Sequence, residues 1–195
     1  GSIKIHSSSE DRPLTAMVFQ EMSLFPWMTV FENVAFGLRM RRENQQAIRE
    51  RVDYFLEITG LAKFRNSYPH QLSGGMKQRA SVARAFAMDP EVLLMDEPFA
   101  ALDEQNKYIL QEELLSIWEK NKKTVLFITH SIDEAIYLSD RIFVMTAHPG
   151  RLNKELSVDI PRSERQIELL RSNERFVELF DEVWEILKTE VRRAS

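Results

Sequence analysis

Cysteine is missing from the 195 residues. Its absence excludes a disulfide framework and thiolate metal sites, and it fits a reducing compartment. A basic excess is missing as well. Lys and Arg number 26 against 30 Asp and Glu, a formal net charge of −4. That argues against a nucleic-acid binder, whose footprint is usually positive. No uninterrupted apolar run reaches the roughly 20 residues that span a bilayer, so any membrane link is expected to run through a partner. Glycine is scarce: Gly1, Gly37, Gly60, Gly74, Gly75 and Gly150 complete the set. None of them opens the pattern G-x-x-x-x-G-K-[S/T], whose amides, lysine and hydroxyl hold nucleotide phosphates and Mg²⁺. What remains is an ordinary globular mix, 44% hydrophobic and 29% charged, long enough for one substantial core.

The most informative stretch is Tyr68-Pro69-His70-Gln71-Leu72-Ser73-Gly74-Gly75-Met76-Lys77-Gln78-Arg79. Met76, Ala80, Ala83 and Ala87 recur at helical spacing after it. Ser73 is placed to cap that helix with its hydroxyl. Gly74 and Gly75 have no side chains, so an oxyanion can approach the amides and the positive end of the helix dipole. Taken alone, an ordinary capped helix explains these residues equally well.

Around it the chain alternates strands and helices. Residues 2–5 read as a short strand and 7–13 as a polar loop. Residues 16–19 read as a buried strand that ends at Gln20, whose carboxamide can serve a metal, a water or a phosphate. Residues 22–30 are rich in large apolar groups for a loop, which suits either core packing or a docking surface. Residues 29–41 and 46–60 read as helices. In the second, Ile48, Val52, Phe55 and Leu56 share a face, and Gly60 suits the position past its end. Residues 91–95 read as a strand that delivers Asp96 and Glu97 side by side. Residues 105–121 form a helical pattern, 124–128 a buried strand with His130 beyond it, 132–138 a short helix, and 141–145 and 152–158 two further strands. Residues 163–191 carry Phe176, Leu179, Phe180, Val183 and Leu187 at helical spacing, one or two helices capping the core. The alternation implies α/β with a largely parallel sheet.

In order and spacing these motifs resemble the ATP-binding-cassette (ABC) ATPases. The family's signature falls on Leu72, Ser73, Gly74 and Gly75, and Walker B on the run from Val92 to Asp96. The catalytic glutamate falls on Glu97, the D-loop on the run from Ala100 to Asp103, the switch histidine on His130 and the Q-loop glutamine on Gln20. The wording from Leu24 to Val30 is similar to the nitrate, sulfonate and taurine importer branch.

The resemblance implies a P-loop NTPase-like (RecA-like) sheet with an inserted helical subdomain, lacking the N-terminal P-loop segment. It implies an ATPase core over residues 1–24 and 89–162, a helical signature subdomain over 25–88 and a C-terminal helical segment over 163–195. The implied cofactors are ATP and Mg²⁺. Glu97 and His130 take catalytic roles. Gln20, Leu72, Ser73, Gly74, Gly75, Gln78 and Asp103 contact ATP, and Gln20 and Asp96 serve the metal. The implied partners are a permease, met through the segment from Gln20 to Val30, a second ATPase subunit and, indirectly, a solute-binding protein, but no nucleic acid. The setting is the inner face of the cell membrane. With no P-loop pattern, these residues by themselves are expected to be inactive, and to leave apolar surface and strand edges uncovered. Two other readings stand beside this one: a non-catalytic permease-docking fragment, and a soluble ABC ATPase linked to nucleic acid.

Overall fold

The computed structural model describes residues 2–7, 12–21, 23–165 and 172–194. They divide into two compact units, 1–128 and 129–195.

The first unit is built on a three-stranded parallel sheet in the order β1-β2-β3 (β1 Thr15–Val18, β2 Val92–Asp96, β3 Thr124–Ile128). Val18 pairs in register with Met95, and Met95 with Phe127. Alternate residues of a strand face opposite ways, so Val18, Leu93 and Met95 share one face and are almost completely buried. Phe127 on that face packs against Phe99 at 5.9 Å between ring centroids. The opposite face carries Leu126 and Ile128, half exposed at 52% and 50%. The expectation of a buried strand at 124–128 is therefore corrected: β3 lies at the edge of the sheet, and one of its faces is exposed. The expected strand at residues 2–5 is also corrected. That stretch pairs with no strand, and Ile3 is 91% exposed. The polar loop expected at 7–13 is irregular where described, and residues 8–11 lie outside the described residues.

Among the described residues four α-helices complete this unit: α1 Val30–Met40, α2 Gln45–Ile58, α3 Gly74–Ala87 and α4 Glu104–Lys120. Their starts follow local chemistry. Thr29 and Glu32 form a reciprocal capping box on α1. Asn44, Ser73 and Asp103 cap α2, α3 and α4 through side-chain oxygens. Gly60 follows α2 at φ +67°, the left-handed turn that glycine adopts at least cost. Val34, Leu38, Val52, Leu56, Ala83 and Phe86 form the helical core, where α1 packs on both α2 and α3.

The second unit contains an antiparallel hairpin, β4 Arg141–Met145 with β5 Leu152–Ser157, and two helices, α5 Ile132–Leu138 and α6 Glu174–Ala194. Ile142 and Val144 face inward, as do Phe176, Leu179 and Val183 of α6. Arg165, with a side chain only 2% exposed, staples the unit together. Its guanidinium donates to the carbonyls of Ser139 at 2.6 Å, Ile160 at 2.9 Å, Tyr137 at 3.3 Å and Val158 at 3.4 Å. Of the helical pattern expected over 163–191, residues 166–171 lie outside the described residues.

Candidate functional site

Parallel strands deliver the residues beyond their ends to one common edge. In open α/β sheets that carboxyl edge is where ligands bind. Gln20 lies two residues past Val18 of β1, and Glu97 two past Met95, the register partner of Val18. The structure brings them together: Gln20 Nε2 donates to Glu97 Oε2 at 3.1 Å. This leaves the Gln20 carboxamide oxygen for a cation or a water. Asp96 is the last residue of β2 and alternates with Met95, so it points to the open face of the sheet, on the side of Leu94 and Ile128.

Glu97 is not a simple continuation of the strand. Its φ is +44°, a left-handed conformation that costs a non-glycine residue on the order of 1 kcal/mol or more and that clusters at functional positions. Two bonds hold it. Its amide donates to the Ile128 carbonyl at 2.9 Å, and its carbonyl accepts from the Ala100 amide at 3.1 Å. Pro98 and Phe99 are buried directly behind it. The carboxylate is thus turned off the strand and toward Gln20. Asp96 and Glu97 take different directions, as alternation suggests, but the backbone turn is the larger cause.

The start of α3 is solvent-facing at Ser73 and Gly74. Ser73 Oγ accepts from the Met76 amide at 3.3 Å. Gly75 lies beside α4, near Asn106 and Leu110, so two helix starts converge here. Asp103, at the head of α4, accepts from the Asn106 side chain at 2.7 Å and from its amide at 3.1 Å. Those bonds hold its carboxyl below the usual range. Leu72 and Gln78 are buried, at 6% and 1% exposed. His130 is exposed and belongs to the second unit, just before α5. Its neighbours there are a short polar network: Thr129 Oγ1 donates to Glu134 at 2.6 Å and accepts from the Ser131 amide at 3.0 Å.

Among the described residues no group of three or more His, Asp or Glu could hold a metal by itself. Mg²⁺ does not need such a cage. It takes one or two carboxylates and fills its remaining positions with water and substrate phosphate. Asp96 and the oxygen of Gln20 are ligands of the chemical kind that such a partial set uses.

Two residues that hold the segment 23–29 escape the motif reading. Asn33 is fully buried on the apolar face of α1, and Arg84 sits on α3 with its guanidinium against residue 23. Asn33 leaves one trace in the sequence: a carboxamide among Val30, Val34 and Leu38, where the helical pattern calls for an apolar residue.

Comparison with known proteins identifies the family and the fold. The model of the family described as "ABC transporter" matches residues 1–100. An uncharacterized ABC transporter ATP-binding protein of Methanocaldococcus jannaschii is 50% identical over 175 residues, covering 88% of this chain and 66% of that protein. The nitrate import ATP-binding protein NrtD of a Synechocystis strain is 43% identical over 177 residues, again 88% of this chain and 66% of the relative. The solved structure of cbiO1 from Clostridium perfringens, described as part of the ABC transporter complex cbiONQ, superposes with a TM-score of 0.69 at 30% identity. It covers 82% of this chain and 62% of that one. The chain therefore spans about two thirds of the length of the relatives it matches. A parallel sheet that places a glutamine against a left-handed glutamate, in a chain that also carries a serine-glycine helix start and matches these relatives, makes the chain a member of the ABC transporter ATP-binding family.

Proposed function

We propose that this chain is the nucleotide-binding part of an ATP-hydrolysing subunit that energises an importer for a small solute such as nitrate, a sulfonate or taurine. The observation that carries the reading is the 3.1 Å contact between Gln20 and Glu97 at the carboxyl edge of adjacent parallel strands. Glu97 orients the attacking water and accepts its proton, and its left-handed backbone keeps the carboxylate at that edge. Gln20 holds the carboxylate through its nitrogen and offers its oxygen to the metal shell, which Asp96 completes. When bound, Mg²⁺ neutralises charge on the phosphates. Ser73, Gly74 and Gly75 present helix-start amides to the terminal phosphate of a nucleotide held by a second subunit. Asp103, at the neighbouring helix start, faces the same junction. His130 is assigned to phosphate and water on family resemblance.

The ATPase core is assigned to residues 1–24 and 89–162, the helical subdomain to 25–88 and the C-terminal segment to 163–195. The segment around the exposed Trp27 meets the permease, which places the subunit against the inner face of the membrane.

Substituting Glu97→Gln in the full-length protein tests the reading. ATP binding should persist while turnover falls by about 10²-fold or more, the usual worth of a positioned general base. Wild-type turnover would remove Glu97 from the role. The 195 residues contain no phosphate-loop pattern. For these residues alone we expect negligible hydrolysis. Saturable, tight Mg-ATP binding in calorimetry would contradict that expectation.

A further inference from the structure

Residues 23–29 lack regular structure, yet they are held from two sides. On one side stands Asn33 of α1, 0% exposed. Its oxygen accepts from the Phe25 amide at 2.7 Å, and its nitrogen donates to the carbonyls of Thr29 at 3.0 Å, Met28 at 3.1 Å and Phe25 at 3.2 Å. One carboxamide thus fixes both ends of the turn that carries Trp27. On the other side stands Arg84 of α3. One guanidinium nitrogen donates to the Ser23 carbonyl and another to the Ser23 hydroxyl, each at 2.8 Å. The guanidinium also lies 5.8 Å from the centre of the Phe25 ring. Phe25 packs on Phe36 of α1 at 4.6 Å and on Trp27 at 5.6 Å. Trp27 itself is 69% exposed.

The chemistry of the Arg84 contact is unusual for a mere packing link. Burial pulls the Arg84 guanidinium below its ordinary pKa, and no carboxylate offsets that burial among the described residues. An apolar side chain would fill the space without the desolvation cost of a charge. What an arginine adds is direction: a planar fork that fixes one backbone carbonyl and one hydroxyl at once. The contact joins residues 61 positions apart in sequence. It also ties the Trp27 segment to the helix whose other end is Ser73, about 16 Å away along the axis at 1.5 Å per residue.

We propose that Arg84 is a positioning residue that makes the Trp27 segment and α3 move as one body, so that a load on Trp27 is delivered to the Ser73–Gly75 helix start. This rests on the reading above, in which Trp27 meets a permease and the α3 start meets nucleotide. Without the Arg84–Ser23 contact, Asn33 still shapes the turn, but the turn loses its direct bond to α3 and keeps the indirect link through the packing of α1 on α3.

The test uses the full-length subunit with its permease in lipid vesicles. ATPase is measured for the subunit alone and for the assembled transporter with solute, with co-purification as the measure of assembly. Arg84→Met keeps volume and removes the fork; Ser23→Ala removes one acceptor from the other side; Trp27→Ala probes docking. With Arg84→Met, assembly and the activity of the isolated subunit should stay at the wild-type level. The permease-stimulated component should fall by about tenfold, as expected for loss of a charge-assisted hydrogen bond. Ser23→Ala should shift it the same way by less. Wild-type stimulation in Arg84→Met, or an equal fall in isolated and stimulated activity, would overturn the proposal. If Trp27→Ala loses assembly while Arg84→Met is stimulated normally, only the Arg84 assignment falls. If Trp27→Ala assembles and responds like wild type, the docking reading falls and takes this proposal with it.

Discussion

A methyl group added at Gly75 would lie 3.8 Å from Asn106 Oδ1 and 3.8 Å from Leu110 Cδ1, ordinary van der Waals distances. Gly75 is the second residue of α3 and is not among the residues with positive φ. Neither packing nor backbone therefore requires glycine there. Alanine in place of glycine stabilises a helix by about 0.5–1 kcal/mol, partly by restricting the unfolded chain. For a chain of this size that raises Tm by about 1–4 °C. If the α3 start receives a phosphate, the same methyl group stands where an oxyanion must approach, and loss of amide contact of this kind costs about 10²-fold in turnover. Gly75→Ala should therefore move stability up and ATP turnover down. Thermal unfolding followed by circular dichroism reads the first, and phosphate release by the full-length protein reads the second. A Tm lowered by several degrees would show that the glycine serves the fold. Undiminished turnover would remove the α3 start from the nucleotide site.

Other expectations concern stability. Arg165→Met leaves four carbonyls in the second unit without this donor, and should cost that unit about 1–3 kcal/mol, the usual result of leaving buried acceptors unsatisfied. Hydrogen exchange at the β4 and β5 amides reads it, and unchanged protection would refute the staple role. Glu113 of α4 has its pKa raised above 4.5 by burial, against the pull of Arg79 on α3 at 2.8 Å. The folded chain then binds more proton than the unfolded chain between 4.5 and the higher native value, so stability should fall as pH rises through that window. Urea midpoints should show this slope in the wild type and a flatter one in Glu113→Gln; identical slopes would refute it.

Much of this protein is set by near neighbours along the chain. The capping residues Thr29, Asn44, Ser73 and Asp103, the stop at Gly60 and the apolar periodicity act within a few residues, so the helices could be located from sequence. The order of the motifs identified the family for the same reason, because each motif is a short run at a strand end or a helix start. The tertiary structure alone decided what depends on distant partners. Gln20 meets Glu97 across 77 positions, and Arg84 meets Ser23 across 61. Pairing of β2 with β3 and the buried Pro98-Phe99 turn set the φ of Glu97, a torsion that side-chain type does not specify. Residues 2–5 and the outer face of β3 misled the sequence reading because apolar content says what can be buried, while burial itself requires a neighbouring element to cover it.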